Sequence, residues 1–87
     1  MKSEADLHRE LAVLLSFGPY YGANLDALWD RLSTDVARPV HLIWTASGVS
    51  RAAMGSVLFD RVERILERAA GQDVAFNWTD RFTYELG

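Results

Sequence analysis

Residues 19–30 read Pro19-Tyr20-Tyr21-Gly22-Ala23-Asn24-Leu25-Asp26-Ala27-Leu28-Trp29-Asp30, an aromatic loop that runs straight into a helix start. Asn24 is a favoured N-cap residue, because its side-chain oxygen can accept from a first-turn backbone N–H. Beyond it Leu25, Leu28 and Leu32 recur at i, i+3 and i+7. That spacing marks the apolar stripe of a helix ending around residues 34–36, with Trp29 at its border. Asp26 and Asp30 share a different face, with Ser33 near them. Two aspartates at i and i+4 repel, and Asp is a mediocre helix former. The helix N-terminus compensates Asp26 but does little for Asp30, a turn further in. Taken alone, the pair is a solvated face or a charged contact surface. A large aromatic beside it is what an interface anchor looks like.

Upstream, Ser3 can cap a helix whose residues Leu7, Leu11, Leu14 and Leu15 form a core-facing stripe ending near Ser16. Phe17-Gly18-Pro19 should stop it. Downstream, Arg38-Pro39 breaks the chain, and Val40-His41-Leu42-Ile43-Trp44 reads as a buried strand. A turn over residues 45–48 and a short helix over residues 50–54 follow. A longer helix begins near Gly55, with Leu58, Val62, Ile65, Leu66 and Ala69 as its apolar face and Gly71 as a C-cap. Residues 74–78 read as a second strand, and residues 82–86 as a third strand or an ordered tail. Helices alternating with short strands predict a small α/β domain spanning residues 1–87, a short sheet packed against three to four helices.

Composition narrows the function. Apolar residues make up 49% of the 87, which is enough for one compact core. Cysteine is absent, so there are no disulfides or thiolate metal sites, which fits a cytoplasmic protein. The first residues lack a signal peptide's apolar run, and no stretch matches a membrane span. The net charge of −3 lies in residues 1–35, where three basic side chains face six acidic ones, while the remainder balances. An acidic patch argues against nucleic acid and suits a basic protein partner. His8 and His41 lie on different elements without a third ligand at metal spacing. No nucleophile elbow or phosphate loop is present. Asp26 and Asp30 sit on a convex helix that excludes no water, so neither catalysis nor a metal or cofactor is expected.

The run from Tyr20 to Asp30 resembles the signature segment of the barstar family of ribonuclease inhibitors. The similarity continues over Ala5-Asp6-Leu7-His8 and residues 36–44, weakens over residues 45–70, and returns at Gly71-Gln72-Asp73-Val74. The resemblance implies a mainly parallel sheet flanked by helices. It also implies that the second helix and its preceding loop plug the active site of a small microbial, guanyl-specific ribonuclease. Asp30 matches the acid that takes the place of substrate phosphate, and Asp26 the family's other key acid. Tyr20, Gly22, Asn24, Ala27 and Trp29 match loop and helix contacts, and Ser33 and Thr34 match contacts at the helix end. Pro39 matches a cis-proline.

There are departures from the family pattern. Family members usually begin with a strand before the first helix, and the residues before Ser3 lead to the expectation that this strand is missing here. Residues 82–86 are expected to pair onto the sheet in its place. A peripheral acid of the last helix falls nearest Glu67, with Glu63 and Arg68 competing for the position. Asp35 stands where the family has an aromatic contact, so the partner can differ. The expected partner is a small basic nuclease toxin bound one to one, with this protein monomeric when free. The alternative is an immunity or adaptor protein on the same scaffold with a different target.

Overall fold

The computed structural model describes residues 3–18 and 20–87, Asp35 by its backbone alone. Pro19, expected to stop the first helix, lies outside the described residues. Helix α1 spans Glu4–Leu14, and the Ser3 side chain caps it by accepting from the Asp6 N–H at 3.1 Å. In the same first turn Asp6 pairs with Arg9. Leu7 and Leu11 are buried as expected, but Leu14 is 66% exposed. The chain leaves helical geometry at Leu15 and turns through Ser16 at φ 56°, so Phe17 enters the core in place of Leu14.

Helix α2 spans Leu25–Asp30 and continues without a break into a π-helical turn, Arg31–Asp35. The Val36 N–H closes this turn on the Arg31 carbonyl at 3.0 Å, five residues back. Leu28 and Leu32 are buried and Leu25 half-buried, which fixes one side of the helix to the core. Strand β1, Val40–Trp44, follows a cis Arg38–Pro39 bond, as the resemblance implied.

Helix α3 spans Ser47–Met54, earlier and longer than expected, and α4 spans Ser56–Ala75. They are joined at Gly55, whose φ of 90° suits a residue without a Cβ. Helix α4 does not stop at Gly71, and residues 74–78 are not a strand. Its buried stripe of Phe59, Val62, Leu66 and Ala69 continues to Asp73, which keeps the last turn helical against the core. The β-forming residues Val74, Phe76 and Trp78 are left exposed, and the chain reverses through Asn77 at φ 57°.

Strand β2, Phe82–Leu86, pairs directly with β1 in parallel, Val40 opposite Phe82 and Trp44 opposite Leu86. The sheet thus has two strands, with the C-terminal run as the second. Along β1, Leu42 and Trp44 are buried while His41 and Ile43 face out, the alternation of a sheet covered on one side. The Trp44 indole N–H donates to Ser50 Oγ at 3.0 Å and its ring meets Phe59 at 5.1 Å, tying β1 to α3 and α4. No helix among the described residues is long and apolar enough to cross a membrane.

A buried ionic link holds the two halves together. Asp73 has no exposed surface and accepts from Arg38 Nε at 2.8 Å and from the Phe82 N–H at 2.6 Å. The same guanidinium donates to the carbonyls of Leu32 and Val36 at 2.6 and 2.7 Å. Arg38 therefore joins the end of the π-helical turn, the C-terminal turn of α4 and the start of β2. Burial by itself raises the Asp73 carboxyl. The hydrogen bonds from Arg38 and Phe82, with the charges of Arg38 and Arg81, outweigh it and hold the group below the usual carboxylate range.

Candidate partner-binding face

Every acidic residue of the motif depends on how α2 is held. The Asn24 side chain accepts from the Ala27 N–H at 2.8 Å, which fixes the first turn, and its amide reaches the Gly22 carbonyl at 3.5 Å. The core side of α2 is anchored by Leu28 and, just beyond, Leu32, neither with any exposed surface. The opposite side is thereby turned to solvent. It carries Asp26 and Asp30, both exposed, one turn apart. Among the described residues no ion pair or side-chain hydrogen bond engages either carboxylate. An unpaired acid on a rigid helix retains its full capacity to accept from a partner's cations.

Most of the other residues the motif singled out are at least partly open to solvent. Asn24 and Gly22 are exposed, Ala27 and Trp29 half-buried, and Tyr20 is 90% exposed at the tip of the preceding loop. At the far end Thr34 is exposed, and its hydroxyl donates to the Asp30 carbonyl at 2.6 Å.

One position departs from the reading of the sequence. Ser33 does not flank the acids: it is buried, and its hydroxyl donates to the Asp30 carbonyl at 3.2 Å. The π-helical turn is wider than an α-turn, so residues after Asp30 advance less around the axis than simple helical spacing assumes. Such turns recur at functional sites and leave no periodic signal in the sequence. On the last helix Arg68, one of the competing positions, reaches the motif, its guanidinium 4.3 Å from the centre of the Trp29 ring. Glu67 is exposed and acts with Glu63 on Tyr84, whose hydroxyl is raised first by burial and then by these two charges. The cation over Trp29 covers one ring face and narrows the rotamers open to the indole.

Sequence reading missed Arg38 and Asp73, although a signal existed. Asp73 continues the stripe of Leu66 and Ala69, and an acid in an apolar stripe demands a buried partner. Together they tie the end of the π-helical turn, through the Leu32 and Val36 carbonyls, to the last turn of α4. His41 meets Thr83 and Glu85 on the open face of the sheet. Among the described residues no cluster of three or more His, Asp or Glu side chains could hold a metal ion.

Comparison with known proteins agrees with this geometry. The family model described as Barstar (barnase inhibitor) matches residues 1–83. A protein of Bacillus subtilis (strain 168) named "Putative ribonuclease inhibitor YrdF" is 43% identical over 61 residues, covering 70% of this chain and 67% of its own. With the family match spanning residues 1–83 and the relative 43% identical over 70% of this chain, the chain belongs to the barstar family.

Proposed function

We propose that this protein inhibits a small basic ribonuclease by laying α2 and the loop before it over the enzyme's active site. The observation that carries the reading is the pair of exposed, unpaired carboxylates of Asp26 and Asp30 on a helix fixed to the core from behind. A ribonuclease must hold a phosphodiester, so its site is cationic, and a carboxylate presented on a rigid support can stand in for the phosphate. Little ordering accompanies such binding, because the helix is already formed and capped. Asp30 takes the phosphate position, Asp26 adds a second charge, and Trp29 and Tyr20 supply apolar anchors. Gly22, Asn24, Ala27 and Thr34 complete the contact surface. Family membership and the naming of the B. subtilis relative support the ribonuclease as target.

Titration of a guanyl-specific ribonuclease with the intact protein tests the reading. Activity should fall linearly and vanish at one equivalent, in a complex burying about 800 Å² on each side. The association rate should drop steeply as ionic strength rises, because an acidic face meets a basic cleft. An enzyme left fully active by excess protein would move the function to an immunity or adaptor role against another target.

A further inference from the structure

We infer that His8 is a positioning residue for the binding loop, holding residues 20–23 in their presenting conformation through the hydroxyl of Tyr21. The inference rests on the proposed function for its consequence, though not for its geometry. His8 lies on α1, 3% exposed, with Nδ1 2.5 Å from the Tyr21 hydroxyl. Its Nε2 lies 3.4 Å from a Glu4 carboxylate oxygen. A carboxylate only accepts, so in the neutral imidazole Nε2 carries the proton and Nδ1 receives the Tyr21 O–H. Burial, then the Glu4 charge, push the Tyr21 hydroxyl up to about 12 against an opposing effect of Arg31, so the phenol keeps the proton it donates.

The loop needs such a tether. Ala23 sits at φ 52°, a left-handed conformation that is costly for a residue with a Cβ, and Gly18 at φ 79° begins the segment. Local preference therefore does not select this path. Between the loop and α1 lies an open cleft of about 460 Å³ lined in part by Glu4, His8, Gly18 and Tyr21, so packing does not close fully around the loop. Tyr21 is held by the His8 bond and by its ring contact with Phe17, 4.7 Å between centres. Its neighbour Tyr20 projects into solvent. Fixing Tyr21 fixes where Tyr20 and Gly22 stand relative to Asn24 and the acids beyond.

The test compares Tyr21→Phe, His8→Leu and His8→Gln with the unaltered protein by two readouts. Amide hydrogen exchange of residues 20–23 in the free protein reports loop order without any partner. The dissociation constant against the ribonuclease reports its consequence. Tyr21→Phe, which removes one oxygen, should speed loop exchange and weaken binding about tenfold, equivalent to ~1.4 kcal/mol. His8→Gln keeps an acceptor and should fall between that variant and the unaltered protein. Adding His8→Leu to Tyr21→Phe should cost little more, because both break one link. Unchanged loop exchange in Tyr21→Phe would overturn the inference, even where global stability fell. Failure of the intact protein to bind the ribonuclease would overturn the proposed function and leave the exchange result to decide the loop's tether.

Discussion

Asp30→Ala should raise the dissociation constant for the ribonuclease more than any other single truncation on the face. Among the described residues the carboxylate has no partner, so the free protein loses no contact by its removal, while the complex loses a buried charge pair. Truncating one side of such a pair costs about 2–5 kcal/mol, a range drawn in part from barstar's own complex with barnase, or roughly thirty- to several-thousand-fold in affinity. Stability should stay within about 0.5 kcal/mol of the unaltered protein, as for other exposed positions. The hydroxyls of Ser33 and Thr34 bond the Asp30 backbone carbonyl, which the substitution leaves in place. Isothermal titration beside a urea melt separates the two effects. A variant that bound as tightly as the original would remove Asp30 from the centre of the interface.

Arg38→Ala should produce the opposite pattern, a large loss of stability from a residue remote from the acidic face. Its removal strands Asp73 in the core with only the Phe82 N–H and frees the carbonyls of Leu32 and Val36. Breaking a buried ion pair by deleting one partner costs about 3–5 kcal/mol. A small domain has about 5–15 kcal/mol in all, so the variant should melt far below the parent. Asp73→Ala should cost a similar amount, and the double variant less than the sum. The pair also sets an acid limit. A carboxyl held lower in the folded than in the unfolded chain contributes stability that is complete above its unfolded value. That contribution is lost as pH falls through the folded value. Urea midpoints should therefore decline from about pH 4 downward, near the ordinary value for Asp. Asp73→Asn should flatten that decline; an unchanged acid limb would mean that other carboxylates cause it.

What could be read in the sequence followed from local rules. Asn24, Leu25, Leu28 and Leu32 specify a capped amphipathic helix from neighbours within two turns, and α2 forms there. Val40–Trp44 and Phe82–Leu86 carry strand composition and form the two strands. What escaped depends on distance or on competition. The Arg38–Asp73 link joins residues 35 positions apart. The strand reading of residues 74–78 yielded to that link, since Asp73 holds the end of α4 in helical form. Leu14 matched the stripe of α1 by spacing, but the turn at Ser16 ended the helix and brought in Phe17 instead. On α2 the exposure of Asp26 and Asp30 was legible, because exposure on one face of a helix follows from burial on the other. Ser33 was misplaced because a π-helical turn has no periodic signature, and the contact of Arg68 with Trp29 could not be read because it depends on how the helices pack.

The central claim is that α2 occupies the place of substrate phosphate, and competition with a nucleotide tests it most directly. The protein would be titrated into a guanyl-specific ribonuclease at increasing concentrations of guanosine 3′-phosphate. If the claim holds, the apparent dissociation constant rises in proportion to the nucleotide-bound fraction of the enzyme, and no ternary complex forms. An affinity unchanged when the active site is saturated with nucleotide would place this protein elsewhere on its partner and contradict the claim.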